Sequence, residues 1–596
     1  MPIDYEKIRE ENIRKYGEET SRYMSSFSDR MYTDQTHFVF EILQNAEDVS
    51  ATRIQFDLFD DRVEVAHNGR PFNEQDVIGI CGIGEGTKTE NLTQIGQFGI
   101  GFKSVYAYTA TPEIHSDGES FKIEHYVRPY SIPSKEAGNS WTTLFVFPFN
   151  AKEIEPKKAC KEISNCLRNM RARTLLFLRK INKIEYKLTN SIGGTYQREE
   201  EKEKRKPARQ VRVIGKHNEE NEDENWLIFE RTVTVPEKPE TVRVEVGFRL
   251  ENKDKTGNEF ITENKDSALV VYFPTEKETR FGFLLQGPYR TTRARDNIPK
   301  DDEWNKTLIQ ETAGLIRDTL PQIRDLGLLS VSFLETLPIR TDDFPDGNMF
   351  YPIVESVRNV LIEEELLPAD DGSFISAKNA KLARGADLIN LLSQTQMCQL
   401  FESSSAIKWL TREITQDKAH DLHSYLTSEL DVEEVTARRF AEKLDDSFLC
   451  DQPDKWFINL YQYLSGQEAL WRAPIGILRS KPILRLEDGS QAVPFKSEDG
   501  TTPNAFLPIP EETDFPVIQR SIATDEQSRE FLQRLGLSKP NVFDYIVERV
   551  LPKYSKTDEI PVSVSEHQTD IDRIIRAMES DSESGKRRIR QKANET

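Results

Sequence analysis

Two stretches decide the reading of this 596-residue chain: IGQFGIGFKSVYAYT at 95–109 and FEILQNAEDV at 40–49. In the first, Gly96, Gly99 and Gly101 crowd ahead of a helix-like run. Glycines let backbone N–H groups approach an anion closely, and a helix N-terminus adds the positive end of its dipole. In the second, Glu41, Asn45 and Asp48 stand at i, i+4 and i+7 and share one helix face, while Phe38, Ile42, Leu43 and Ala46 take the other. An amide between two acids suits a hard cation: Asn45 offers a neutral oxygen to Mg²⁺, and a carboxylate can polarise a water. Each stretch alone also reads blandly, the second as a solvated polar face.

The glycine stretch is not a phosphate-binding P-loop. Gly96, four residues and Gly101 are followed by Phe102, Lys103 and Ser104, one residue too many before the lysine, and the lead-in GTKTENLTQ is no buried strand. It is not a dinucleotide fingerprint either, since the order is GxxGxG. Two further features lie between and beyond: VAHNGRPF at 65–72, a strand ending in a sharp Asn-Gly turn, and WTTLFVFPF at 141–149, a strand carrying Thr142 and Thr143.

Working outward, the periodicity predicts a helix over 34–48, then a hairpin of strands 53–59 and 62–66 about Asp60-Asp61, with further strands at 121–126 and 142–147. A connecting helix is expected over 156–178. Strands follow at 184–188, 226–233, 242–248, 268–273 and 281–285, and a long helix over 304–320. The charged runs REEEKEKRKPARQ (198–210) and KHNEENEDEN (216–225) read as solvated loops or hairpin tips. Beyond about 351 the chain is mostly helical. LLPADDGSFISAKNAKLA and PILRLEDGSQAVPF each place an Asp-Gly turn between apolar runs, a degenerate internal repeat.

Composition excludes several classes. With 37% hydrophobic residues and 30% charged, the chain can bury real cores, and its length calls for several. The net charge of −21 argues against a broad grip on nucleic acid or anionic membrane, although KRRIRQK near the end is locally basic. Five widely spaced cysteines without a CxxC, and a charged amphipathic start, MPIDYEKIREENIRKYG, predict a soluble cytoplasmic protein without structural zinc.

In this order the four features together resemble the GHKL ATPases, the family of the ninety-kilodalton heat-shock chaperones, type II topoisomerases, mismatch-repair MutL proteins and sensor histidine kinases. EILQNAED resembles the family's N box, HNG stands at its first glycine box, GIGEGTKTEN resembles the lid, IGQFGIGFKSVY the second glycine box, and TTLFVF the strand bearing the last threonine. The subgroup it most resembles is the sacsin-type ATPase module, over about residues 20–150. The implied fold class is α+β: a Bergerat-type two-layer ATPase domain with a mixed sheet over 1–155, an α/β transducer-like middle domain over 156–345, and a mainly helical region over 346–596. A stretch at 535–554 resembles a mid-protein segment of that group, so the natural chain is expected to continue beyond Thr596.

The resemblance implies ATP and Mg²⁺ as ligands and assigns roles. Glu41 would be the general base, Asn45 the Mg²⁺ ligand, and Asp48 a support of the same polar shell. Gly96, Gln97, Phe98, Gly99, Ile100, Gly101 and Phe102 would wrap the triphosphate, with Lys103 either near it or a solvated helix residue. Lys88 would belong to the lid, and Thr143 or Thr142 to the water network around adenine. The family's adenine-reading Asp is replaced by His67, with Asn68 a substitute acceptor beside Gly69; this puts base selectivity in question. LVVYFPTEKETRFGFLLQGPYRTTRARDNIP resembles the chaperone middle domain, whose loop lends an arginine to the γ-phosphate; Arg295 is the first choice and Arg293 the second. The implied function is an ATPase whose nucleotide state drives lid and domain closure in a chaperone-like or stress- or defence-sensing protein, with a protein client or partner subunit, or a second copy. The alternatives are a nucleotide-gated module for nucleic-acid transactions, a sensor kinase (for which no phospho-acceptor histidine is evident), and a non-hydrolysing ATP-binding scaffold.

Overall fold

A computed structural model describes residues 3–18, 35–83, 101–135, 138, 140–152, 154–189, 191–201, 205–217, 220–236, 238–253, 258–292, 297–472, 474–496, 500, 502–510, 513–554 and 562–595. The chain divides into two compact units. The first comprises Met1–Pro368, Ser376–Lys378 and Glu413–Asp431; the second comprises Ala369–Ile375, Asn379–Arg412 and Val432–Thr596.

The first unit is α+β and is built on one mixed sheet. Helix α1 (Tyr5–Tyr16) precedes a 3-10 turn (Gln35–His37) and helix α2 (Phe38–Asp48). Strands β1 (Arg53–Leu58) and β2 (Arg62–His67) form the expected hairpin, and α3 (Glu74–Cys81) follows. Then come β3 (Glu113–Ser116), β4 (Glu119–Glu124), β5 (Arg128–Ser131), β6 (Thr143–Pro148) and α4 (Pro156–Asn169). Strand β7 (Lys183–Leu188) pairs in parallel with β1. It leads into an antiparallel run of β8 (Ser191–Glu201), β9 (Arg209–His217), β10 (Glu220–Thr234) and β11 (Thr241–Lys253), with β12 (Asn258–Thr262) on β11. Strands β13 (Ala268–Val271), β14 (Phe273–Glu278) and β15 (Leu284–Gln286) close this side, and helix α5 (Glu303–Asp325) follows. The β1–β7 pair therefore makes one fifteen-stranded sheet of what the sequence divides at residue 155.

Two expectations are corrected and one, that of the charged runs, is resolved in favour of one of its alternatives. The helix expected to reach residue 178 stops at Asn169. Met170 and Arg171 are extended (φ −62°, ψ 122° and φ −83°, ψ 152°), so the α-helical bonding breaks there, and Ala172–Leu175 make only a short 3-10 turn. The charged runs 198–210 and 216–225 are hairpin tips with their flanking strand ends: the first spans the end of β8 and the start of β9, the second the end of β9 and the start of β10. Alternation places Tyr196, Val211, Val213 and Trp226 inside, while opposite charges meet beside them: Arg209 with Glu200, Arg212 with Asp223, and Arg173 with Glu224. The strand expected over 121–126 ends at Glu124, since His125 and Tyr126 turn with positive φ.

In the second unit, short parallel strands Ala380–Ala383, Lys408–Trp409 and Glu433–Val435 sit among helices. The two Asp-Gly turns repeat each other closely. Ser373 N–H donates to Asp371 and Ser490 N–H to Asp488; the glycines have φ of +80° and +85°; the following segments supply Arg412 to Asp370 and Arg520 to Glu487. The degenerate repeat thus has a shared geometry.

One joint sets α2 on the sheet. Both carboxylate oxygens of Glu47 accept from successive backbone N–H groups leading into β7: Arg179 at 2.6 Å, Lys180 at 2.8 Å and Ile181 at 2.8 Å. Glu47→Ala strands three donors, so unfolding in denaturant is expected to show a loss of about 3 kcal/mol, with faster amide exchange at 179–181 and partial recovery in Glu47→Gln.

Candidate functional site

Helix α2 has an apolar face in the core and a polar face that is also largely covered. Ile42, Leu43 and Ala46 are fully buried, yet Glu41, Gln44 and Glu47 are buried too. Asn45 and Asp48 are half-buried. The three polar positions singled out from spacing therefore do lie on one stripe.

Glycines from two motifs grip this helix at its two ends. A Cβ on Gly101 would stand 1.7 Å from Oε2 of Glu41, so only glycine lets this backbone lie against the carboxylate. At the other end, a Cβ on Gly69 would stand 2.7 Å from the Val49 side chain and 2.9 Å from its carbonyl, and Arg70 N–H donates to that carbonyl. Beyond Gly101 the chain makes a 3-10 turn (Gly101–Ala107), with the Ser104 hydroxyl donating back to the Gly101 carbonyl and Phe102 packed on Phe145 and Phe147. His37 Nδ1 lies 3.5 Å from the Glu41 carboxylate.

The strand ends form a second cluster. His67 ends β2 directly opposite Thr143, which begins β6, and Thr143 in turn faces Ser116 at the end of β3. The hydroxyls of Thr143 and Ser116 are hydrogen-bonded at 2.8 Å, and Ser116 Oγ also accepts from Phe72 N–H. Thr142 donates its hydroxyl to the carbonyls of His67 and Gly69, tying β6 to the Asn-Gly turn. His67 is buried, and its Nδ1 accepts from Gly69 N–H at 3.1 Å. Nε2 therefore carries the ring proton of the neutral form. Burial lowers the imidazole pKa to about 4.

Two other expected residues are committed elsewhere. The Asn68 carbonyl accepts from Thr52 and Arg53 N–H, each at 2.9 Å, and its amide donates to the Thr52 hydroxyl, so Asn68 anchors the start of β1. Lys103 is not a solvated helix residue. It is 3% exposed, and its Nζ donates to the carbonyls of Ile80 at 2.7 Å and Tyr126 at 2.6 Å, while burial draws its pKa down to about 8. Lys88, Gly96, Gln97, Phe98, Gly99 and Ile100, and the loop residues Arg293 and Arg295, lie outside the described residues.

Spacing missed several residues. The spacing singles out neither Gln44 nor Glu47, because nothing local announces what covers them. Tyr272, the one residue between β13 and β14, has φ of +62°; its hydroxyl pKa is raised by burial and then by the Asp48 carboxylate. Beside it, Phe273 packs on Phe40 of α2 at 5.5 Å.

Among the described residues no three His, Cys, Asp or Glu side chains gather as a metal cage, and no helix is long and apolar enough to cross a membrane. The oxygen donors on the α2 stripe suit a hard ion held by one or two protein groups, with water and phosphate completing its shell.

Comparison with known proteins gives the chain a sacsin-like N-terminal module. The sacsin domain model matches residues 29–124. Protein NO VEIN of Arabidopsis thaliana is 24% identical over 367 residues, 55% of this chain and 13% of that protein. Sacsin of Homo sapiens is 37% identical over 117 residues, 17% of this chain and 2% of that protein. The chain therefore spans only a small part of the length of these relatives. Among solved structures, the N-terminal domain of a DNA repair protein aligns over 46% of this chain and 90% of that one, at 12% identity and a TM-score of 0.28.

The His67 environment has a consequence for pH. The unfolded chain takes up a proton near the ordinary pKa of 6.5, whereas the folded chain resists protonation until about 4. Stability should therefore be full above about 6.5 and fall through that window by up to about 3 kcal/mol. Denaturant titrations of wild type and His67→Asn at pH 7 and pH 4.5 should show the variant losing less on acidification.

Proposed function

We propose that residues 1–155 form a GHKL-type (Bergerat) nucleotide site that binds ATP with Mg²⁺ and hydrolyses it, in a chaperone-like or stress- or defence-sensing protein. The observation that carries this reading is the contact of Gly101 with the Glu41 carboxylate, which joins the end of the glycine stretch to the acid of the N box. The resemblance to sacsin-type modules over the same residues supports it.

In this reading the backbone of 96–102 holds the triphosphate. Glu41 is the general base: it takes a proton from water as the oxygen attacks the γ-phosphorus. The bond from that phosphorus to the bridging oxygen breaks, and ADP leaves with the electron pair. Asn45, with Asp48 behind it, would hold Mg²⁺, which supplies charge neutralisation on the phosphates. Arg295 or Arg293 would add positive charge at the transferring group. Thr143 and His67 would face the base. Because the free ring nitrogen of His67 is a donor and not an acceptor, the base preference has to be measured and not carried over from carboxylate-bearing relatives.

The lid and domain closure expected to follow nucleotide binding would be read by a protein client or partner subunit. Closure-limited turnover is slow in such a scheme.

The test compares ATP, GTP and a nonhydrolysable ATP analogue, with and without Mg²⁺, by direct binding and phosphate release. Glu41→Ala should lower turnover at least a hundredfold and leave analogue affinity within about threefold. Undiminished turnover removes Glu41 from the mechanism, and absence of nucleotide binding by wild type removes the reading itself.

A further inference from the structure

Gln44 lies three residues after Glu41 and four before Asp48, so it flanks the same polar stripe of α2. It is 1% exposed, and neither its Oε1 nor its Nε2 has a hydrogen-bond partner among the described residues. The contrast with Glu47 on the same helix is direct, since that side chain is met by three backbone donors. A buried carboxamide with both ends unmatched carries the desolvation penalty of a donor and an acceptor, and native structures seldom keep one without a use.

We propose that Gln44 is a further ligand-contacting residue of the nucleotide site, its carboxamide bridging the attacking water and an oxygen of the terminal phosphoryl group. The proposal rests on the nucleotide reading of the α2 stripe. Its chemistry is one of complementary ends. Oε1 accepts an O–H of the water that Glu41 does not take, and Nε2 donates to a phosphoryl oxygen. Glu41 remains the proton acceptor, and Gln44 changes no charge. Holding water and phosphoryl group with one planar group orients the water's lone pair towards phosphorus, a positional contribution that grows in the transition state.

The experiment uses Gln44→Met, which keeps the volume and removes both polar ends. Three quantities are read on the whole chain: thermal unfolding without nucleotide, the dissociation constant of a nonhydrolysable ATP analogue with Mg²⁺, and phosphate release from ATP. The expected result is a higher unfolding temperature without nucleotide, analogue binding weakened about tenfold, and turnover reduced about a hundredfold. Gln44→Glu, of the same shape but charged, should weaken the analogue further, which guards against misfolding of a single variant. A Gln44→Met protein that unfolds at lower temperature and binds the analogue as wild type does would show a structural amide and overturn the proposal. So would unchanged binding with unchanged turnover. Failure of wild type to bind any nucleotide would sink the nucleotide reading and Gln44 with it, whereas wild-type binding beside an unaffected variant removes Gln44 alone.

Discussion

Burial of α2 on both faces is the constraint on which the rest of the first unit depends. An amphipathic helix normally leaves its polar face in water; here Glu41, Gln44 and Glu47 are covered as well. Each covered polar group needs an answer from another part of the chain. Glu47 receives three backbone N–H groups from the segment entering β7. Glu41 has the side-chain-free backbone of Gly101 laid against it. Neither end of the Gln44 carboxamide has a hydrogen-bond partner among the described residues.

The same logic extends into the sheet. Arg179, whose N–H is one of the three bonded to Glu47, sends its guanidinium to Glu245 at 2.8 Å and Glu230 at 3.2 Å. Arg209 reaches Glu245 at 2.7 Å. Burial raises the Glu245 carboxyl pKa, and the two arginines oppose that shift. Removing one partner from such a cluster costs far more than its net attraction contributes, because the other is left charged and dry. The helix carrying the candidate chemistry is thus joined through Glu47 and Arg179 to strands β10 and β11.

Much of the candidate site was legible because its signals are local. A 3.6-residue period placed Glu41, Asn45 and Asp48 on one stripe, and a two-residue period found β1, β2 and β6. Gly101 was legible as a backbone that must pass close to something, though not as one that meets Glu41. Lys103 shows the opposite case. A lysine after a glycine run invites a phosphate, yet its neighbours in space are the carbonyls of Ile80 and Tyr126, more than twenty residues away in either direction. Asn68 likewise looked available and is held by Thr52 and Arg53. The charged runs were legible as hairpin tips, but the pairing of their carboxylates with arginines on neighbouring strands is something no single-strand pattern displays.

By itself the sequence determined the α+β class of the first unit, the helix with its polar stripe, the hairpin before the Asn-Gly turn and the helical remainder with its two Asp-Gly turns. These follow from periods and turn chemistry that act within a few residues. Only the tertiary structure decided that His67 faces Thr143, that His67 keeps its proton on Nε2, that Glu47 and Lys103 are anchors, and that Gln44 is buried without a hydrogen-bond partner among the described residues. Burial and hydrogen-bond matching are set by residues distant along the chain, so no local pattern can record them.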